Sequence, residues 1–446
     1  MDSKPGITRP RVGVIGLAYP GYHLGEEMCG PKLAEAIAML GASPVEVTPA
    51  SQPAMDEAGA RRAGEEMAKA DVDCILAVIT TFIPDYFVTE LLARCPVPVF
   101  LWAVEREMQC ISLVCGPLIT ATLYNLNAHY RLAAADIPDE TARRQFLTFA
   151  RAAMLRRVLR RMRVGYWGGK PPIMFSMSVD EYELKRRLGV TVVNLPMQSL
   201  YRAADAVSAD AAGGYWNGLR RGLGDVTVTD ADGIASSRLY LAARRLAEEN
   251  QLDALSLNCF PDLKSRICLA VARLNDDGVA AACEGDLHST ILMHLLSCLT
   301  GRASFNGDFL RLYPESRDIL FSHCGAGAFS LAAGPRKVCL RASIETCDGL
   351  AVCYATELRG PVTLLNLMSG PGTLRLTALK GDGAETDLAY EGTPLRVRFT
   401  KDVHEILQDV ARVGAGHHWN GGAGDLVPEF TQLCRFLDVP FSSLTP

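Results

Sequence analysis

No two of the 14 cysteines in this sequence stand in a C-x-x-C pair, so neither a thiolate zinc site nor a dithiol redox centre is expected. The start, MDSKPGITRP, lacks the basic head and apolar run of a secretory signal. Several cysteines, among them Cys74, Cys259, Cys339 and Cys353, sit in apolar strand-like runs. The expectation is reduced thiols, buried as small hydrophobes in a cytoplasmic protein. Excess positive charge is missing as well. With 45 Lys and Arg against 50 Asp and Glu, the formal net charge is -5, and no nucleic-acid partner is expected. Residues 108–130 contain no Asp, Glu, Lys or Arg, a length able to cross a bilayer. Gly116-Pro117 near the middle, with Gln109, Thr120, Thr122, Asn125, Asn127 and His129, makes a buried helix or pocket wall the better reading, so no membrane partner is expected.

Nucleotide fingerprints are lacking too. The glycines after the first apolar strand fall at Gly13, Gly16, Gly21 and Gly25 without G-x-G-x-x-G spacing, and no G-x-x-x-x-G-K-[ST] loop occurs. What is present is a chain of 446 residues, 49% hydrophobic and 21% charged, long enough for two or three domains. Over residues 1–165, apolar runs at 11–17 (RVGVIGL), 74–80 (CILAVIT) and 97–102 (VPVFLW) alternate with helical stretches at 26–40 and 56–70. That is the pattern of a doubly wound parallel sheet. The arginine-rich stretch 143–163 reads as an amphipathic helix with Phe146, Phe149, Ala153 and Met154 on its apolar side and a solvated or intersubunit face opposite. Residues 166–302 repeat the alternation, with strands near 164–168, 190–196, 254–260 and 279–284. After about residue 302 the texture changes. Runs such as VCLRASIE, GLAVCYATEL, PVTLLNLMS and PLRVRFT read as antiparallel strands. The expected fold is α/β: two doubly wound Rossmann-like α/β domains, 1–165 and 166–302, then a mainly antiparallel, barrel-like C-terminal domain, 303–446, closed by a helix at 426–437.

The chemistry concentrates in AACEGDLHS, residues 281–289. An apolar strand ends on Glu284, and a turn through Gly285-Asp286 leads to a helix starting near His288. Ligands of open α/β sheets gather at the carboxyl ends of strands. Asp286 reads as a helix N-cap, which leaves Glu284 unexplained. Asp308 (SFNGDFL), His323 (LFSHCGAG), and His417 and His418 (GAGHHWNGG) are polar groups in similarly apolar or glycine-rich settings, whereas His404 on a charged helix is structural. Two carboxylates and an imidazole make an oxygen/nitrogen set, suited to Mn²⁺, Mg²⁺ or Co²⁺ rather than a thiolate-loving metal.

At these residues the chain resembles the L-fucose isomerase and L-arabinose isomerase superfamily, in particular its shorter members. The matching pieces are LNCFPDL, CEGD, FNGDF, SHCGAG and GHHWN, in order over the last 190 or so residues. The resemblance implies that Glu284 and Asp308 are metal-binding, acid/base carboxylates, that His418 is a metal ligand with His417 behind it, and that His323 is a further ligand. It implies an enediolate route between an open-chain aldose and ketose, and with the oxygen/nitrogen ligand set the expected cofactor is a divalent metal, Mn²⁺ ahead of Mg²⁺ or Co²⁺. It also implies a homo-oligomer, a trimer or hexamer, with the active site near a subunit interface. His23, Trp102, Gln109 and Asn258, with Tyr22 beside His23, are the candidates for substrate contact. The substrate expected is a hydroxylated, uncharged sugar. Two other readings stay open: a sugar-binding or regulatory protein without turnover, and another metal-enolate reaction such as epimerisation or retro-aldol cleavage.

Overall fold

A computed structural model describes residues 8–107, 109–388 and 390–446. Most of the N-terminal decapeptide, and Met108 at the head of the uncharged segment, lie outside the described residues. The chain divides into two units, Thr8–Arg157 and Val158–Pro446.

In the first unit, β1 (Arg11–Leu17), β2 (Glu46–Pro49), β3 (Cys74–Ile79), β4 (Val99–Val104) and β5 (Tyr130–Ala135) form a parallel sheet in the order β2-β1-β3-β4-β5. β3 and β4 are buried at every position because helices cover both faces. Ile75, Ala77 and Ile79 pack against Ala60, Ala63 and Met67, and against Val88 and Leu91. On the other face Phe100 meets Phe146 and Phe149, with ring centroids 5.3 and 5.5 Å away. The unit is thus doubly wound. The arginine-rich helix, Glu140–Arg161, turns these phenylalanines inward, and Arg157 pairs with buried Asp73. The uncharged segment holds a helix of only 11 residues, Cys115–Asn125. Among the described residues no helix is long and apolar enough to cross a membrane.

The second unit begins with the same strand order. β6 (Arg163–Trp167), β7 (Thr191–Leu195), β8 (Ala254–Leu257) and β9 (Ala280–Ala282) form a parallel sheet ordered β7-β6-β8-β9. One face carries a core of Trp167, Leu255, Leu257 and Ala281 against Leu200, Tyr240, Ala243, Val271 and Leu274. The other face carries the helix Leu287–Thr300. β8 and β9 stop short of the ends expected from hydropathy, at Leu257 and Ala282. At β9 the cause is a reversal of the backbone, with φ 61° at both Glu284 and Gly285, which takes the chain out of the ladder.

The remaining strands are β10 (Phe305–Tyr313), β11 (Asp318–Ser322), β12 (Cys339–Arg341), β13 (Ala351–Cys353), β14 (Gly360–Gly370), β15 (Thr373–Gly383), β16 (Leu395–Arg398), β17 (Trp419–Ala423) and β18 (Phe441–Ser443). Seven of them follow the order β14-β17-β10-β11-β16-β15-β18, and β14 also pairs with β15. Six strands therefore close into an antiparallel ring, with β18 added in parallel to β15. Its apolar filling includes Phe305, Ile319, Phe321, Val362, Leu364, Leu379, Leu395, Val397 and Trp419. The helix Leu287–Thr300 lies between this ring and the parallel sheet, touching β8 and β9 on one side and β14 and β17 on the other.

Candidate metal centre

Three of the expected ligands are neighbours by strand register. β10 runs between β11 and β17, with Asp308 opposite Ser322 and Gly307 opposite Trp419. His323 follows Ser322 directly, and His418 precedes Trp419. Asp308, His323 and His418 therefore meet at one end of three adjacent strands, although 110 positions separate the first from the last in the chain. Just beyond Asp308 a bulge between Phe309 and Arg311 breaks the ladder; such bulges re-aim side chains at strand ends.

Glu284 arrives from the parallel sheet. Its left-handed backbone costs about 1–2 kcal/mol for a residue with a Cβ, and the surroundings impose it. The Gly285 amide donates to the Leu257 carbonyl at 3.1 Å and the Asp286 amide to the Cys283 carbonyl at 3.3 Å. A Cβ on Gly285 would lie 2.2 Å from the Gly169 carbonyl oxygen, so the turn after β9 is wedged against the loop after β6. The result is a carboxylate aimed at the histidines. Glu284 Oε2 lies 3.5 Å from His418 Nε2 and 3.9 Å from His417 Nε2, and Oε1 lies 3.9 Å from His323 Nε2.

The donor set fits a divalent cation. His323 Nε2 and His418 Nε2 face each other at 3.3 Å, close to the ~3.0 Å expected of two nitrogens bound at right angles to one ion. Asp308 Oδ1 is 3.8 Å from His418 Nε2 and is buried without a hydrogen-bond partner among the described residues. Overlapping groups able to hold an ion are Glu284 with His417 and His418, Asp308 with His323 and His418, and Cys283 with Glu284 and His323.

A second layer orients these ligands. Asp286 caps the helix Leu287–Thr300, its Oδ1 accepting the Ser289 amide at 2.9 Å. Its Oδ2 lies 2.7 Å from His418 Nδ1. A carboxylate there accepts from Nδ1–H and turns Nε2 toward Glu284 and His323. Burial works to raise the Asp286 carboxyl, yet the hydrogen bond and charge of His418, then the charge of His288, hold it well below the usual carboxylate range. Glu284 is likewise held below its ordinary value: burial opposes ionisation, but His417 at 3.9 Å and the charges of His323 and His418 prevail. The neighbouring Glu284 carboxylate in turn raises His417. For His323, burial works downward, and Cys324 followed by Glu284 and Asp308 lifts it well above the imidazole norm.

Asn258 belongs to this unit but its amide is occupied. Its Nδ2 donates to the Gly168 and Lys170 carbonyls at 3.2 and 3.4 Å, and its Oδ1 accepts the Phe260 amide at 3.0 Å. It clamps the loops after β6 and β8. His23, Trp102 and Gln109 lie in the first unit. His23 and Gln109 are exposed there, as is Tyr22. Trp102 is fully buried, and its indole N–H donates to the Ala135 carbonyl at 3.1 Å, so it is a core residue with no polar group left for a ligand. Two contacts went unforeseen: the Asp286–His418 bond, and the thiols of Cys283 and Cys324 beside His323. The first had a signal, since an N-cap aspartate engages one oxygen and leaves the other free.

No family model matches the sequence. Proteins named sulfoquinovose isomerase from Priestia aryabhattai and Priestia megaterium are each 26% identical to this chain over 385 residues, covering 82% of it and 84% of their own length. A protein of the same name from Alkalicoccus urumqiensis is 24% identical over 379 residues, covering 82% of this chain and 85% of its own. Among solved structures, an ABC transporter solute binding protein from Burkholderia multivorans is matched at 13% identity, covering 66% of this chain and 95% of its own, with a TM-score of only 0.19.

Proposed function

We propose that this chain is a divalent-cation-dependent aldose–ketose isomerase whose substrate is a sulfonated sugar of the sulfoquinovose kind. The enzyme class rests on four relatives that share the name sulfoquinovose isomerase. The cation dependence rests on one observation, the convergence of Glu284, Asp308, His323 and His418 with a buried, unpartnered Asp308 oxygen. The substrate named by the relatives carries a fixed negative charge, where the residues alone suggested a neutral sugar.

The residues divide the work as follows. His418, held by Asp286, and His323 present ring nitrogens to the pocket. Glu284 and Asp308 reach it from different sheets, so a sugar seated there has a carboxylate on each side. One takes the proton from the carbon beside the carbonyl, and the pair returns protons to the neighbouring carbon and between the two oxygens. A bound cation, Mn²⁺ in this reading, supplies Lewis-acid polarisation of the carbonyl. A cytoplasmic location and assembly into a trimer or hexamer belong to the same proposal, which light scattering and fractionation would check.

The test strips the protein with a chelator, restores Mn²⁺, and follows sulfoquinovose in D₂O by NMR. Ketose formation with deuterium entering at C1 or C2 is expected. Metal-independent binding without exchange would replace the isomerase reading by that of a sugar-binding protein. A Glu284→Gln variant with full turnover would remove the assignment of that carboxylate.

A further inference from the structure

A sulfonated sugar meets an adverse field at this site. Glu284, Asp308 and Asp286 surround His418 with oxygens 3.5, 3.8 and 2.7 Å from its ring nitrogens, and a sulfonate cannot escape repulsion by taking up a proton. Juxtaposed like charges disfavour binding, so the sulfonated end of the sugar needs a cation away from the carboxylates. The turns that follow β6, β8 and β9 carry three Lys or Arg residues: Lys170, Lys264 and Arg266. Lys264 is already neutralised, its ammonium 2.9 Å from Glu345. Arg266 lines a separate cleft with Tyr201, Arg238 and Asp232. The Lys170 ammonium has no hydrogen bond or ion pair among the described residues.

The backbone of Lys170 is fixed beside the turn that bears Glu284. Its carbonyl accepts from Asn258 Nδ2 at 3.4 Å, and a Cβ on Gly285 would lie 3.2 Å from Lys170 Cα. Lys170 Cα therefore stands within about 9 Å of Glu284 Cα. Pro171 and Pro172 follow. A residue before proline is confined to extended backbone, so little ordering entropy remains to be lost when an anion arrives. From that anchor the flexible four-carbon stem of lysine is long enough to meet the C6 sulfonate of an open-chain sugar whose C1 and C2 sit beside Glu284.

We propose that Lys170 sets the specificity of this site, its ammonium holding the sulfonate while Glu284 and Asp308 act at the carbonyl end. This assignment rests on the functional reading above and adds to it the group that tells a sulfonated sugar from a neutral one. A neutral hexose gains nothing from the ammonium. A sulfonated one gains a charge-assisted hydrogen bond and relief from the surrounding carboxylates.

The experiment compares the native protein, loaded with Mn²⁺, with Lys170→Gln, Lys170→Met, Lys170→Arg and Lys264→Gln, using sulfoquinovose and glucose. In both neutral variants of Lys170 the KM for sulfoquinovose should rise about 10–100-fold, more than kcat falls, and the salt dependence of kcat/KM should flatten. Calorimetric binding of sulfoquinovose should weaken in parallel, and the preference over glucose should narrow by the same factor. Lys170→Arg should recover most of the loss. Circular dichroism separates a misfolded variant from one that has lost a contact, and two neutral variants keep the comparison usable. A KM within about threefold of native in either folded neutral variant overturns the assignment. So does a larger rise in Lys264→Gln than in Lys170→Gln, which would move the sulfonate to the other lysine. If the protein binds sulfoquinovose through Lys170 without converting it, the assignment stands and the isomerase reading falls; if it neither binds nor converts it, both fall.

Discussion

Asp286→Asn isolates the contact that orients His418. In the native protein Oδ1 of Asp286 accepts the Ser289 amide and Oδ2 sits 2.7 Å from His418 Nδ1. Asparagine is as good an N-cap as aspartate, so its carbonyl oxygen keeps the first bond. The second position becomes an NH₂, which donates. His418 must then accept at Nδ1, its proton moves to Nε2, and the lone pair that faced the pocket is lost. Changes of this kind behind a metal-ligating histidine cost about 10–100-fold in affinity, or about 1.4–2.7 kcal/mol. The fold should barely notice. Asp286→Ala serves as contrast, because it removes the cap, worth about 1 kcal/mol, and strands a buried histidine nitrogen at about 1–3 kcal/mol more. Calorimetric titration with Mn²⁺ and urea unfolding of the metal-free protein read the two quantities separately. An Asn variant that binds Mn²⁺ within about twofold of native would refute the orienting role. One that unfolds as readily as the Ala variant would refute the separation of cap from orientation.

Other perturbations give equally direct outcomes. Gly285→Ala places a Cβ 2.2 Å from the Gly169 carbonyl oxygen at a φ of 61° and should destabilise by about 2 kcal/mol or more, read by urea unfolding. Asp318, buried at the far end of the β10–β11 hairpin, lies 2.8 Å from the guanidinium nitrogens of both Arg396 and Arg398. Burial works to raise its carboxyl, but Arg398, Ser316 and Arg396 hold it below the usual range. Its contribution is therefore present above the unfolded value of about 3.9 and lost as pH falls through the lower folded value. Asp318→Asn should cost about 1–2 kcal/mol at neutral pH, since both arginines reach solvent, and the gap from native should narrow below about pH 4. Chelation should lower the thermal midpoint, and Mn²⁺ at 100 times its dissociation constant should restore about 2.7 kcal/mol; a midpoint indifferent to chelator would contradict the metal centre.

Much of the architecture was legible because burial leaves a mark on composition. β3 and β4 read as continuous apolar runs since helices cover both faces, and the texture change after residue 302 tracked the switch to antiparallel pairing. β2 and β5 were invisible for the same reason: as edge strands, EVTP and YRLAAA are partly exposed and carry no clean hydrophobic signal. Glu284 could be singled out because a carboxylate closing an apolar strand has no other excuse. That Asp308, His323 and His418 share one strand end depends on register, which no spacing in the chain encodes. The polar groups of Trp102 and Asn258 drew attention as ligand contacts, but the Ala135, Gly168 and Lys170 carbonyls that satisfy them come from distant segments. The sulfurs of Cys283 and Cys324 were hidden by the absence of a pair motif; tertiary folding, not spacing, brings them to His323.

The helix Leu287–Thr300 has a consequence for how this protein can be cut. Ten of its 14 residues are buried, Ser289 accepts a hydrogen bond from Asn420 of β17, and the helix fills the space between the parallel sheet and the closed ring. A tryptic nick after exposed Arg302 would therefore leave two pieces that still travel together on a sizing column. A gene truncated at the same point would instead yield an insoluble product with this apolar rod bare. The seam between the sheets is a place where the chain can be broken after folding but not before it.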